Sequence, residues 1–288
     1  VFIRPFRYER AGNYNDACDL LRAHGEDAKV IAGGQSLLPM INLGLVQPEV
    51  VVDISRLAEG RDIAVEDDGY LTLGALVTHA ALAADTGARA AQPLLPEAAR
   101  RIGNNRVRNR GTLGGSLAHA DPAAELPLVM VALGATYEVT NGHASHSVRA
   151  EDFHLGYFTT SLEADELIIS VRAPVLGPGW GWSFQELSRR AGDFAMASVA
   201  ALIRSADGLV VEARVAAGAV SDRPVRLADV ESALTGCAVG DIASRVGPIQ
   251  GIRPADDTGA TAQYKERLIR VLVTRSLEQA ARRSGEAA

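Results

Sequence analysis

Two glycine-rich stretches hold the residues best suited to chemistry. The first, Lys29–Pro39, reads KVIAGGQSLLP. A β-branched pair, Val30 and Ile31, runs through Ala32 into Gly33-Gly34, then Gln35-Ser36, then Leu37-Leu38 with Pro39 behind. The order spells strand, tight turn, helix start. Glycine takes backbone conformations closed to other residues, Ser36 suits an N-cap, and Pro39 fits within a first helical turn. Such a turn leaves N–H groups unpaired and pointing one way at the positive end of a helix dipole, which seats a phosphate or diphosphate. An ordinary βα turn uses the same residues. The stretch is neither the fingerprint G-x-G-x-x-G nor a Walker loop ending Gly-Lys-Ser/Thr. The second stretch, Val107–Pro127, reads VRNRGTLGGSLAHADPAAELP. Gly111, Gly114 and Gly115 flank Thr112 and Leu113, and Ser116, His119, Asp121 and Glu125 follow. Two such turns, one from each of two subdomains, can grip one diphosphate from two sides. Asp121 and Glu125 can accept hydrogen bonds from ligand hydroxyls. Asp121 equally suits the cap of a helix starting near Pro122 and Ala123.

The elements that position these turns are read from hydrophobic periodicity and punctuation. Phe2, Phe6 and Tyr8 form an alternating apolar opening. Asn15-Asp16 starts a helix with Ala17, Leu20, Leu21 and His24 on its apolar face, closed by Gly25. Val30-Ile31 and Val50–Ile54 are buried strands, parallel because the helical segment 36–44 lies between them. Ser55–Asp62 is polar and marks a boundary. Ile63–Val65 and Tyr70–Val77 form a hairpin about Glu66-Asp67-Asp68-Gly69. Thr78–Ala84 and Pro93–Ile102 are helices. Leu128–Leu133 and Thr136–Thr140 are core segments, and Asn141-Gly142 signals a hairpin turn. Leu167–Val171 is a strand ended by Pro174, and Gly177-Pro178-Gly179 is a linker. Beyond it, Trp180–Arg190 and Ala195–Ile203 alternate weakly, Asp207-Gly208 turns into a strand over Leu209–Ala219, and Thr261–Arg283 is a long helix with Leu268, Val271 and Leu272 inward. The expected class is α+β. Three units are expected: 1–58, an N-terminal α/β subdomain; 59–176, a second subdomain; and 177–288, a C-terminal α+β domain.

Composition narrows the function classes. The chain has 288 residues, 47% hydrophobic and 22% charged, enough for several subdomains with cores. A net charge of −6 argues against nucleic acid or an anionic membrane as partner. The two cysteines, Cys18 and Cys237, have no C-x-x-C neighbour, which reads as a reduced, cytoplasmic protein. They cannot ligate a four-cysteine iron–sulfur cluster. The first residues, VFIRPFRYER, lack a signal-peptide core, and the longest apolar run, Leu126–Ala135, is too short to span a membrane. His143 and His146 suggest no metal site, since a third ligand is missing. Arg100, Arg101, Arg106, Arg108 and Arg110 form a basic cluster that faces a diphosphate, a partner or solvent.

The two glycine stretches resemble the FAD-binding medium subunit of the molybdenum hydroxylases, the xanthine dehydrogenase and carbon monoxide dehydrogenase family. That family's motifs A-G-G-x-S-L-x-P and R-N-R-G-T-x-G-G-N/S match Ala32–Pro39 and Arg108–Ser116, the latter ending in Ser116 rather than the commoner asparagine. Leu187–Ala197, LSRRAGDFAMA, is a third match. The resemblance implies the FAD-binding fold of the p-cresol methylhydroxylase and vanillyl-alcohol oxidase type. It implies FAD as the cofactor, gripped mainly by Lys29–Leu37 and Gly111–Gly115. Asp121 lies in the matching acidic stretch, and Glu125 falls where relatives carry an acid near the ribityl chain and flavin. Ile102 and Ile168 match aliphatic residues against the ring, and Phe194 an aromatic that covers one flavin face. Some relatives carry a lysine near Gln185 or Glu186; this chain does not, and Arg189 or Arg190 is the nearby cation.

The resemblance further implies an oxidoreductase role in electron transfer, with no catalytic residue and no metal on this chain. A large molybdopterin subunit and a small subunit with two [2Fe–2S] clusters are the expected partners, commonly in a dimer of heterotrimers. Electrons would pass from the clusters through FAD to a quinone, a cytochrome, oxygen or NAD, while the large subunit acts on an N-heteroaromatic compound, carbon monoxide or an aldehyde. A free-standing FAD-dependent oxidoreductase of the same fold is the rival. It would need its own acid–base residue near the flavin. A nucleotide-binding scaffold without flavin is the non-enzymatic alternative.

Overall fold

The structure is a computed structural model and describes residues 4–286. Phe2 of the apolar opening therefore lies outside the described residues. Among the described residues the longer strands form three sheets, one for each successive stretch of chain.

The first sheet contains β1 (Arg7–Arg10), β2 (Ala28–Ile31) and β3 (Val50–Asp53) in the order β1-β3-β2, all parallel. Helix α1 (Tyr14–His24) begins earlier than Asn15-Asp16 suggests, because Asn13 is the cap: its side chain accepts from the Asp16 N–H at 2.8 Å. Its buried face is Tyr14, Ala17, Cys18 and Leu21, while Leu20 and His24 reach only its margin. Gly25 ends it at φ +54°. Helix α2 (Leu37–Asn42) follows β2 and contains Pro39 in its first turn.

The second sheet runs β4-β5-β10-β6-β7 and is antiparallel. Strands β4 (Ile63–Val65) and β5 (Tyr70–Gly74) form the expected hairpin, with Gly69 at φ +84°. Strand β5 ends at Gly74 rather than Val77, since the chain there turns to bond Asp62 and Gly60. Short helices follow: α3 (His79–Ala84), α4 (Thr86–Ala91), α5 (Leu94–Ala99), α6 (Asn105–Arg110), α7 (Leu113–His119) and α8 (Glu125–Leu133). Thr78, Asp85, Asn104 and Thr112 cap α3, α4, α6 and α7 with their side-chain oxygens. Helix α8 is buried from Leu126 to Leu133 and sits in the middle of the largest core. Strands β6 (Thr136–Thr140) and β7 (Ser145–Arg149) join at Asn141-Gly142. Helix α9 (Ala150–Phe153) and the hairpin of β8 (His154–Gly156) and β9 (Thr159–Thr160) precede β10 (Leu167–Pro174), which runs between β5 and β6.

The third sheet is antiparallel: β11 (Trp180–Leu187), β12 (Ala197–Ala206), β13 (Leu209–Gly218) and β14 (Val225–Arg226). Both faces are covered, which is why its strands alternate weakly in sequence. Phe184, Ala200, Leu202 and Ala216 pack into the core of α5 and α8. Val199, Ala201, Ile203, Val215 and Ala217 face the other way, toward α10 (Ala228–Leu234), α11 (Ile242–Arg245) and α12 (Ala262–Glu286). Helix α12 lies close on β11; a Cβ on Gly181 would coincide with the Ala280 carbonyl. Its inward residues are Ile269, Leu272, Val273, Leu277 and Ala280, and Val271 is 45% exposed rather than inward. Leu272 and Leu268 thus meet the core as their spacing suggests, and Val271 alone of the expected set does not.

Candidate functional site

The two glycine turns meet. A Cβ added to Gly33 would coincide with the Arg110 carbonyl and lie 2.8 Å from Gly111 Cα, so the close approach requires glycine. Gly34 holds φ +71°. The N–H groups of Gly33, Gly34, Gln35, Ser36 and Leu37 have no acceptor among the described residues. Ser36 does not act as the expected cap: it is already helical in φ and ψ, and its hydroxyl makes no capping bond. These donors are therefore open to a ligand. Lys29, Val30 and Ile31 belong to β2, with Lys29 exposed and Val30 and Ile31 half-buried. Ala32 packs at the edge of the first core.

The second turn is tied down by its own bonds. The Leu113 N–H donates to the Val77 carbonyl at 2.9 Å and the Gly114 N–H to the Ala75 carbonyl at 2.8 Å. A Cβ on Gly114 would lie 2.7 Å from that of Ala75. The Gly115 N–H donates to Thr112 Oγ1 and the His79 N–H to the Gly111 carbonyl. The Thr112 N–H is left without an acceptor among the described residues. This turn is a braced wall, and most donors come from the first turn. His79 does much of the bracing, its ring filling the space a Gly111 side chain would need, at 2.7–2.8 Å. Burial, and then Arg108, push its imidazole down to about 4, and Nδ1 has no partner.

The helix expected over Pro93–Ile102 ends at Ala99, so Ile102, 8% exposed, lies in the bend after it, and Ile168 lies on β10, 5% exposed; both are in the large core. The Ala75 N–H donates to the Ile169 carbonyl, linking this part of β10 to the Ala75–Gly114 contact. Gly192, at φ +84°, lies against Gly103, whose carbonyl would be 2.9 Å from a Gly192 Cβ. The third motif is thereby seated beside Ile102, and Phe194 projects from it, 73% exposed. Of the basic cluster, Arg108 donates to the Ile102 and Gly103 carbonyls and Arg100 to the Ala83 carbonyl, so both brace the backbone.

Asp121 caps the turn into α8: Oδ1 accepts from the Ala123 N–H at 2.9 Å and its carbonyl from Ala124 at 3.0 Å. Its other carboxylate oxygen makes no bond among the described residues. Glu125 opens α8 and is pushed up to about 8, by burial first and then by Glu186 and Asp121, with its own N–H opposing. Burial also raises Glu186, against Arg101. Ser198, opposite Glu186 across the β11–β12 ladder, is fully buried with an unpaired hydroxyl. Ser198 and His79 carry no motif of their own in sequence; an unremarkable serine in a strand and a histidine after a capping threonine give no chemical signal.

A row of open N–H donors beside a second, abutting glycine turn is an arrangement that suits the diphosphate of a nucleotide cofactor. Residues 4–176 match the family model described as the FAD-binding domain in molybdopterin dehydrogenase, and residues 182–280 match the CO dehydrogenase flavoprotein C-terminal domain. The chain is 37% identical over 282 residues to the nicotine 6-hydroxylase medium subunit of Paenarthrobacter nicotinovorans, covering 96% of this chain and 98% of that one. It is 34% identical to the carbon monoxide dehydrogenase medium chain of Hydrogenophaga pseudoflava, covering 96% of each. Among solved structures it is similar to carbon monoxide dehydrogenase from Hydrogenophaga pseudoflava, with a TM-score of 0.93, 35% identity and coverage of 98% of this chain and 99% of that one. It is also similar to quinoline 2-oxidoreductase from Pseudomonas putida 86, with a TM-score of 0.90, 34% identity and the same coverages. The chain belongs to the family of FAD-binding medium subunits of molybdenum hydroxylases. It is the FAD-carrying subunit of an oxidoreductase, and its fold is a FAD-binding domain followed by the C-terminal domain of that family.

Proposed function

We propose that FAD lies between the turn of Gly33–Leu37 and the braced wall of Gly111–Gly115, with its diphosphate on the open N–H groups of the first turn. The close approach of Gly33 to Arg110 is the observation that carries this reading. Lys29–Ala32 lead the first turn into place. Asp121 and Glu125 serve the ribityl side, Ile102 and Ile168 back the ring, and exposed Phe194 covers one face. The residues fit the cofactor: unpaired donors meet a diphosphate and buried aliphatic groups meet a ring. When bound, FAD supplies the two-electron store; the chain's own residues hold it, exclude water from it and set the charge around it.

In this reading the chain takes electrons from a small [2Fe–2S] subunit beside a large molybdopterin subunit, in a dimer of heterotrimers in the cytoplasm. It passes them to an external acceptor: a quinone, a cytochrome, oxygen or NAD. The substrate belongs to the large subunit, and an N-heteroaromatic compound is favoured by likeness to the nicotine and quinoline enzymes. The chain divides functionally at 58 and 176, with FAD spanning the first two units. Gly34→Val tests the diphosphate assignment. Its side chain would be strained at φ +71° and would crowd Leu38 and Ile31. A folded variant that retains no FAD supports the reading, and one that holds FAD at full occupancy overturns it.

A further inference from the structure

The hairpin of β8 and β9 has a buried foot and a bare tip. At the foot, His154 is 3% exposed and Phe153 is fully buried. Phe153 packs edge-on against Tyr137 with ring centroids 4.8 Å apart, and the His154 ring lies 5.1 Å from that of Phe153. The Ser161 N–H closes the foot by donating to the Phe153 carbonyl at 2.9 Å. At the tip the chain turns through Tyr157 and Phe158, each 57% exposed, just after Leu155 at 50%. These large apolar side chains stand together in solvent on a base that belongs to the core.

The tip is held still from two sides. The Phe158 N–H donates to the Ala120 carbonyl at 3.1 Å, and the Phe158 ring lies 5.2 Å from that of His119. Phe158 and Ala120 are both left-handed, at φ +52° and +53°. That conformation is strained for a bulky aromatic residue and persists only where the surroundings impose it. On the other side, Arg223 Nη1 donates to the Leu155 carbonyl at 2.8 Å. Exposed aromatic groups on a fixed backbone lose little freedom on binding, which is the property of interface anchors.

We propose that this tip is the seat of the small iron–sulfur subunit, with an acidic segment of that subunit lying against Arg223 and Arg253. The inference rests on the function proposed above, which supplies that partner. The tip stands at the far end of α7, seven residues and so about 10 Å from the glycine turn that starts the helix. A chain covering the tip is thereby brought to the side of the cofactor turn, where an electron donor has to be. Beside the tip is a cavity of about 330 Å³ whose lining includes Glu151, Asp222, Arg223, Arg226 and Arg253. Arg226 is taken up by Glu151 and Glu231. The exposed Arg253 guanidinium has no acceptor among the described residues, and Arg223 has only the Leu155 carbonyl. Asp222, which a Cβ on Gly156 would approach to 3.6 Å, offsets one of these two cations and leaves the other in excess. A local cation beside aromatic groups fits an acidic and apolar partner, although the whole chain carries −6. A second copy of this chain fits worse, because a two-fold contact at the tip would set the same cations against each other.

The test uses the purified native complex with a photoreactive benzophenone amino acid in place of Tyr157. Irradiation should join this chain to the small iron–sulfur chain, identified by mass. Capture of the large chain, of a second copy of this chain or of nothing overturns the proposal. In parallel, Tyr157→Asp is combined with Phe158→Asn, since asparagine tolerates the left-handed backbone. This variant should keep FAD on the chain and weaken its hold on the small chain at least about tenfold, read as iron per FAD while the complex is diluted. Val65→Asp, at a 53% exposed position on edge strand β4, should dilute like wild type. Arg253→Glu should also loosen the small chain. A tip variant that holds the small chain as wild type does overturns the seat, and the same result for Arg253→Glu overturns the acidic contact. A native complex without flavin overturns the FAD reading, whereas one that holds FAD and both partner chains but cross-links elsewhere overturns this proposal alone.

Discussion

Gly33 and the Arg110 carbonyl occupy adjoining space with no room for a Cβ between them. The first subdomain is thereby locked to the turn that opens the second motif. Gly33→Ala must push the two apart. Overpacking of this kind costs about 1–3 kcal/mol, and here it also opens the gap across which a diphosphate would be held. Isothermal titration of FAD into the variant should show affinity reduced by at least about tenfold, equivalent to about 1.4 kcal/mol. Unchanged affinity would mean that the contact does not shape the site.

Gly114 is a packing glycine rather than an open donor. Its N–H is already bonded to Ala75, and a Cβ would lie 2.7 Å from the Ala75 Cβ. Gly114→Val should therefore damage the fold itself, by about 3 kcal/mol or more, and yield little soluble chain. Gly34→Val should leave more soluble chain. Expression yield and thermal melting of the pair separate the two roles.

Two buried histidines make stability depend on pH. Burial holds His79 and His154 neutral, each down to about 4. The unfolded chain binds protons more readily than the folded chain between that value and the ordinary histidine range, so stability falls as pH drops through this window. Between pH 6.5 and pH 5 each should cost about 1.5 kcal/mol. Melting curves should show the loss, and His154→Phe should reduce it. A melting temperature flat across that range would contradict the assignment.

Glu97 joins the second and third units. One carboxylate oxygen accepts from Trp182 Nε1 at 3.0 Å and from Arg283 at 2.9 Å, and the Arg283 guanidinium stacks over the indole. Glu97→Ala leaves Trp182 Nε1 without an acceptor and Arg283 with only the Trp182 carbonyl, in a half-buried place, and should cost about 1–3 kcal/mol. Tryptophan fluorescence should shift with it. Arg283→Lys should restore only part of the contact, since lysine cannot stack and bond in the same plane.

Phe194 should behave oppositely to Gly114. It is 73% exposed, so Phe194→Ala should change stability by no more than about 0.5 kcal/mol. Its effect should appear in the flavin's visible spectrum and in FAD affinity. A variant indistinguishable from wild type in both would remove Phe194 from the site.

Much of the fold was legible because its punctuation is local. The turns at Gly69, Asn141-Gly142 and Asp207-Gly208 fall where glycine at positive φ is needed, and the strand–turn–helix of Val30–Leu37 follows from residue order. Short helices α4 and α6 were not legible, since six residues offer no period and their caps, Asp85 and Asn104, resemble loop residues. Helix α8 reads as plain core because it is buried on every side from Leu126 onward, which erases the amphipathic signal. The bases of the site divide in the same way. Gly33 and Gly114 announce themselves, but only the structure distinguishes the turn with open donors from the turn whose donors are used. Glu125 was visible as an acid in the right stretch, while its lack of a cation depends on Glu186 and Ser198 arriving from β11 and β12.

The most direct measurement is the visible spectrum of the native complex purified through this chain, with released cofactor, molybdenum and iron assayed together. The account predicts one FAD for each copy of this chain, with molybdenum and iron on co-purifying large and small chains. FAD on a lone chain without metals would contradict the partner assignment, and a preparation with no flavin would contradict the central claim.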